Sequence, residues 1–327
     1  MSHPKAIIWG HKSPKHTHHH IHFGYFKAFK FLGYETFWFD KDDNVSSFCF
    51  NDAIFLTEDQ AHQGIPLLKN AKYILHHCIL DKYIDANCKF INLQNYLNVF
   101  RNQYLDNKKG LQKINSYTFF DENTSSLIQP WATDLLPHEF SNEIFPLNAS
   151  QESINYIGTV WGPNELLINK FNEACKNHRK KFINFTSFGV EWREREFLLA
   201  RNLRKATKKI QDLIWPNPIN EITARKLTVE SYIAPDIRNK DHVDRGYIPC
   251  RIFKNISYGK IPGTNSFDVS KFFVNPLPYS TDMHELFDLN ASLLSRSNNI
   301  KNFFGIHEDV KKNHTYINRI EAILKCF

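Results

Sequence analysis

Three observations predict an α/β protein made of two Rossmann-like domains facing across a cleft. The first half of the chain alternates apolar strand-like runs with helix-like stretches, the rhythm of a parallel sheet. A second alternation of the same kind begins at Ile154. The length, 327 residues with 42% hydrophobic and 14% aromatic content, suits two cores of ordinary domain size.

Strands are expected at 6–9, 35–39, 53–56, 73–76, 89–93 and 116–120. Between the first two, Ile21, Tyr25, Phe29 and Leu32 share one side of a helix over 18–32, and Gly33 stops it. Residues 137–150 are polar and irregular, with Pro137 and Pro146, and read as a linker. The first domain is therefore placed at 1–140 and the second at 150–312. In the second, a strand from 154 runs into the turn Gly158-Thr159. A helix over 164–178, a strand over 181–185 and a helix over 193–213 follow, then the apolar step 231–235. Next come a helix opening at Pro249 with a strand after it, and helices over 283–295 and 314–326. Two such sheets place a ligand beyond the C-terminal ends of their strands.

Composition narrows the class. No run approaches eighteen apolar residues, so no membrane-spanning helix is expected. The N-terminus lacks the layout of a signal peptide. Cys49, Cys78, Cys88, Cys175, Cys250 and Cys326 show no CxxC pairing, which suits reduced thiols and a cytoplasmic protein. A net charge of +7 fits an anionic substrate, an anionic membrane face or nucleic acid. The basic residues are dispersed apart from 176–181 and 201–209, which read as solvated helix faces. Peripheral membrane contact stays open, and nucleic acid is not expected as a partner.

Residues 247–266 carry the most chemistry. Pro249 suits a helix start, where its missing N–H costs nothing. Ile252, Phe253 and Ile256 share one face, and Gly259 falls where a left-handed stop is needed. Arg251 then sits in the first turn, where backbone N–H groups and the helix dipole already favour an anion. Facing the small-residue loop Gly263-Thr264-Asn265-Ser266, it suits a diphosphate.

The spacing Arg251-x-Phe253-x-x-x-x-Tyr258-Gly259-x-x-Pro262 resembles the donor-site helix of GT-B glycosyltransferases. It is most similar to the spore-protein-like family 1 enzymes, with likeness to the exostosin and α1,3-fucosyltransferase groups. The segment Pro130-Trp131-Ala132-Thr133-Asp134 is similar to their first-domain connector, and the segment 313–327 to the helix that returns to the first domain. The resemblance implies that Arg251 contacts the donor phosphates and that Pro235, Asp236 and Arg238 line base and sugar. Tyr258, Gly259, Thr264, Asn265 and Ser266 complete the implied donor set, with Gly158 and Thr159 at the turn after the first donor-domain strand. Lys254 departs from the family, many of whose members carry a glutamate for the ribose hydroxyls; a lysine accepts no hydrogen bond.

For a catalytic base, five histidines stand among residues 16–22, in the loop and helix after the first strand. His16, in the loop, is the favoured base and Asp121 the runner-up, with Glu122 beside it. A metal is not expected, because the sequence places no acidic or cysteine partner beside the histidines. Asp40-Lys41-Asp42 matches a DxD triplet but follows the second strand, too early for a GT-A metal motif. The expected activity is transfer of a sugar from a nucleoside-diphosphate sugar to a hydroxyl of a glycan or lipid-linked acceptor, in glycan or surface polysaccharide synthesis. No cofactor is obligatory. A nucleotide-dependent epimerase or dehydrogenase is the rival enzyme, weakened because no GxGxxG follows Gly10. A silent sugar- or nucleic-acid-binding protein is the other rival.

Overall fold

The computed structural model describes residues 4–12, 17–96, 110–140, 151–158, 162–185, 219–293 and 297–327. The expected helix over 193–213, His16, Thr159 and most of the linker lie outside the described residues.

The first half forms one eight-stranded sheet. Its strands are β1 (Lys5–Trp9), β2 (Glu35–Phe39), β3 (Ile54–Glu58), β4 (Lys72–His76), β5 (Lys89–Gln94), β6 (Leu111–Asn115), β7 (Thr118–Asp121) and β8 (Ser126–Ile128). The order is β2-β1-β3-β4-β5-β8-β7-β6. From β2 to β8 every neighbouring pair is parallel, while β7 and β6 close the edge as an antiparallel hairpin. Strand period sorts the apolar residues onto two faces. Ala6, Ile8, Leu56 and Ile74 join a core with Ile21, Tyr25 and Phe29 of helix α1 (Thr17–Phe31). Ile7, Trp9, Phe55 and Tyr73 build the opposite core with Tyr83 of the short helix α2 (Asp81–Asp85).

The expected strand over 116–120 is in fact the tip and second arm of the β6–β7 hairpin. Asn115 Oδ1 accepts the Tyr117 N–H at 2.8 Å, an Asx turn that reverses the chain just where the apolar run begins. The three-residue strand β8 that follows was not expected from the sequence.

In the second half, β9 (Ser153–Ile157) and β10 (Lys181–Phe185) pair in parallel around α3 (Gly162–Asn177). Helices α4 (Glu221–Val229), α5 (Lys240–Asp244), α6 (Cys250–Ser257), α7 (Phe267–Phe272), α8 (Met283–Leu293) and α9 (Ser297–Asn313) complete it. Among the described residues this sheet has two strands. The strand expected after α6 is reduced to isolated bridges, Asp236 to Thr264 and Thr264 to Tyr279. Pro235 and Pro262 flank that pairing and lack the N–H a ladder needs.

The last helix, α10 (Tyr316–Leu324), returns to the first sheet. Tyr316, Ile317, Ile320 and Ile323 enter the core beside α1, with the Tyr25 and Tyr316 rings 4.6 Å apart. Arg319 is buried there. It donates to the carbonyls of Pro130 at 2.8 Å, Trp131 at 3.0 Å and Asn313 at 3.1 Å, and burial lowers its pKa to about 10. These bonds hold the connector 130–134 in place across the seam between the two halves.

Candidate functional site

Helix α6 is built as its sequence requires. Pro249 caps it in extended conformation, Arg251 is its second residue, and Gly259 ends it at φ 88°. Ile252, Phe253 and Ile256 are fully buried, which turns Arg251 toward the C-terminal end of β9. There Arg251 Nη1 donates to the Tyr156 hydroxyl at 2.7 Å, and its guanidinium lies 4.7 Å from the centre of that ring. The guanidinium reaches over Gly158 so closely that a methyl group there would run into it.

Beside Arg251 lies a second guanidinium. Asp236, with no solvent exposure, faces Arg238 Nη2 at 2.6 Å and Arg251 Nη1 at 3.9 Å. Burial opposes the charge on Arg238, but the Asp236 carboxylate outweighs it and the pKa ends above the ordinary value. Nη2 of Arg238 is taken up by the Asp236 carboxylate, while its buried Nε has no acceptor among the described residues. Asn265 locks the loop of Arg238: its Oδ1 accepts the Arg238 N–H at 2.7 Å and its Nδ2 donates to the Arg238 carbonyl at 2.8 Å. The Thr264 hydroxyl donates to Asp236 at 3.3 Å, and the buried Ser266 hydroxyl has no partner. Two permanent positive charges thus converge on one carboxylate, and the Arg251 guanidinium faces the turn at Gly158.

The structure brings Gly158, Pro235, Asp236, Arg238, Arg251, Thr264, Asn265 and Ser266 into this one neighbourhood. Tyr258 does not join it. Its hydroxyl donates to both oxygens of Asp134, at 2.8 and 3.0 Å, because the residue ends α6 on the side packed against the connector. Gly259 serves there as the helix stop. Lys254 faces the same Asp134 at 3.7 Å; its charge neutralises a buried seam carboxylate, far from any ribose role.

Asp121 is also misplaced as a base. It ends β7, which runs antiparallel to β8, and it pairs with Ser126 at the start of that strand. Its carboxylate therefore sits at the sheet edge away from the C-terminal ends of the parallel strands. It is buried and accepts from Asn123 N–H and the Thr124 hydroxyl, each at 3.0 Å, holding the turn. The expectation assumed a parallel strand ending at the cleft.

Across the seam lies a histidine-rich edge, at the C-terminal ends of β1, β3 and β4. Glu58, which ends β3, meets His11 Nε2 at 3.0 Å and His18 Nδ1 at 3.3 Å. Its carboxylate also accepts the Gln60 N–H at 2.6 Å. His22 Nδ1 lies 3.0 Å from the Gly10 carbonyl, and burial holds its pKa down to about 3. His19 and His20 turn instead to Glu221 of α4, at 3.3 and 3.0 Å, bridging the two halves. The sequence places no acidic partner beside the histidines, whereas in the fold Glu58 stands between His11 and His18. A carboxylate closing an otherwise apolar buried strand was the signal available for it.

Trp131 joins the two clusters. Its ring lies 4.7 Å from that of His76, and its indole N–H donates to the Tyr247 hydroxyl at 3.1 Å. The Tyr247 ring in turn lies 5.7 Å from the Arg238 guanidinium.

No protein-family profile and no curated protein sequence matches the chain. Solved structures do match its fold. An alpha-glucosyltransferase described in complex with UDP and a 13-mer DNA holding a central A:G mismatch superposes with a TM-score of 0.56 at 10% identity, over 99% of this chain and 100% of that one. An alpha-glucosyltransferase described with UDP and a 13-mer DNA holding an HMU base gives 0.52 at 11% identity, over 99% and 100%. At this identity the likeness is one of fold, and the fold is GT-B.

Proposed function

We propose that the protein is a GT-B glycosyltransferase that moves a sugar from a nucleoside-diphosphate sugar to an acceptor hydroxyl. The observation that carries this is the pair of guanidinium groups, Arg251 and Arg238, held against Asp236, with Arg251 lying over the backbone of Gly158. In the reaction the acceptor oxygen bonds to the anomeric carbon and the carbon–oxygen bond to the diphosphate breaks. The diphosphate leaves with the electron pair, and the guanidinium charges and the start of α6 stabilise it without a metal. Thr264, Asn265 and Ser266 support the same pocket, and Pro235 lines it. Residues 150–312 hold the donor and residues 1–140 the acceptor, in the cytoplasm.

His16 is kept as the residue that takes the acceptor proton; Asp121 is withdrawn. Glycan and lipid-linked hydroxyls are the proposed acceptors. The exclusion of nucleic acid is also withdrawn, since it rested on dispersed charge alone and both fold neighbours are described with DNA.

The test is thermal stabilisation by UDP-, GDP-, dTDP- and CMP-linked ligands, with and without Mg²⁺, on wild type and Arg251→Ala. A metal-independent shift with one nucleoside diphosphate, lost in the variant, is expected. Stabilisation by NAD alone would overturn the reading in favour of a dehydrogenase.

A further inference from the structure

The histidine-rich edge has a donor set that the proposed sugar transfer does not use. We propose that His11, His18 and Glu58 form a binding site for one divalent transition-metal ion of the zinc type, separate from the diphosphate cradle. The proposal does not depend on the activity proposed above.

Geometry is the first support. One ligand atom from each of the three residues can be chosen so that all lie within 4.8 Å of one another. His11 stands 3.0 Å from one Glu58 oxygen and His18 3.3 Å from the other, each separation close to the edge of a tetrahedron around such an ion. With metal–ligand bonds of about 2.0–2.2 Å that edge is about 3.3–3.6 Å. Small side-chain rotations therefore convert the present contacts into coordination. Two imidazoles and a carboxylate are the donor types that suit zinc and its neighbours, whereas calcium and magnesium prefer oxygen alone.

Burial is the second. Glu58 is only 4% exposed, with His11 at 10% and His18 at 19%, so a carboxylate sits out of water with imidazoles facing both its oxygens.

The surroundings are the third. The ring of His76 lies 5.1 Å from that of His18 and is 4% exposed, and among the described residues its nitrogens have only the Asn95 side chain within weak hydrogen-bonding reach. Buried polar atoms of this kind are uncommon, and a bound ion or a water on that ion would satisfy them. Two residues at the ends of these strands, His11 at φ 56° and His77 at φ 55°, are held in the left-handed region. Such strain concentrates at sites where side-chain placement matters. Three protein ligands leave a fourth position for a water or a hydroxyl ligand, the pattern of a working site rather than a closed structural one.

The experiment uses the full chain freed of metal by a chelator, with Zn²⁺ binding read by competition with a chromogenic chelator and Co²⁺ binding by visible absorption. One equivalent should bind to wild type. Affinity should fall at least about tenfold in Glu58→Gln, His18→Ala and His11→Ala. It should hold in His20→Ala, whose imidazole faces Glu221. Circular dichroism checks that each variant is folded. Should Glu58→Gln fail to fold, the wild-type Co²⁺ spectrum decides by itself. A tetrahedral band without thiolate charge transfer supports the site, and a thiolate band, which would place the ion on a cysteine such as Cys78, overturns it. Absence of stoichiometric binding to wild type, unchanged affinity in the three variants, or loss in His20→Ala also overturns it.

Discussion

The two polar clusters that face each other across the seam solve the problem of buried charge in opposite ways. The cradle in the second half uses guanidinium groups, which stay protonated at any physiological pH, and anchors them on Asp236. The edge of the first sheet uses imidazoles, and burial pushes one of them, His22, down to about 3. A permanent field suits an anion that must be recognised and then released as a leaving group. Neutral imidazoles suit a proton or a metal ion. The contrast teaches that the division of labour between the halves lies in the type of base, and each variant below tests one side of it.

The largest effect should come from the cradle's anchor. Asp236→Asn leaves two guanidinium groups close together without their carboxylate, one of them fully buried. Loss of about 3–5 kcal/mol in unfolding stability is expected, read by urea denaturation. A loss below about 1 kcal/mol would mean that the carboxylate does not hold the pair.

Next in size is Arg251→Ala. The side chain is partly exposed and its loss leaves no buried charge, so the melting temperature should hardly move. Turnover should fall about 10²–10³-fold if the guanidinium stabilises the leaving diphosphate. Gly158→Ala sharpens the same point without touching the charge. The added methyl displaces the far end of a flexible side chain, so folding should tolerate it while diphosphate affinity drops about 10²-fold. Equal affinities in wild type and Gly158→Ala would place the diphosphate elsewhere.

Most of this cradle was legible in the sequence because its elements are local. The start, face and stop of α6 are set by Pro249, Ile252, Phe253, Ile256 and Gly259 within one short window. The loop 263–266 follows directly. The partners that fix the guanidinium were not legible: Tyr156 is 95 residues away from Arg251, and only tertiary pairing brings it there. Strand direction was the other gap. A strand ending in Asp121 reads alike whether parallel or antiparallel, yet direction decides which edge of the sheet the carboxylate occupies. Glu58 was passed over for a related reason, since nothing in the run 54–58 announces which loop will face its end. Tyr258 shows the limit of motif reading. The residue stands where the resemblance wants it, but the helix face it ends on belongs to the seam with Asp134.

Acid should separate imidazole from guanidinium next. His314 is fully buried among Phe253, Phe272 and Tyr117, between Asp309 of α9 and Arg319 of α10. Its Nδ1 accepts from the Arg319 guanidinium at 2.9 Å, so Nε2 carries the hydrogen and faces Asp309 at 3.5 Å. Burial lowers its pKa from the ordinary 6.5 to about 4, against the pull of Asp309. The unfolded chain therefore takes up a proton near pH 6.5 that the folded protein refuses until about pH 4. The stability this neutral ring contributes is complete above pH 6.5 and is lost as pH falls through that window, by roughly 2–3 kcal/mol. His314→Gln should flatten that slope in pH-dependent urea unfolding, whereas Arg251→Ala should leave it unchanged. An unaltered slope in His314→Gln would assign the acid sensitivity to other imidazoles.

The smallest effect should come from Asp121→Asn. A base at the cleft would lose most of its turnover on this change, because the amide cannot take a proton from the acceptor. A residue that only holds the turn 122–125 keeps part of its bonding, since the amide oxygen still accepts from Asn123 N–H or the Thr124 hydroxyl. We expect unchanged turnover and a stability loss of about 1 kcal/mol, measured side by side on the same preparation. The pairing of the two readouts is what makes the variant informative. Lost turnover with intact stability would return Asp121 to the reaction and require the β7 end of the sheet to face the acceptor. Lost stability alone ties it to the hairpin and leaves His16 as the proposed base.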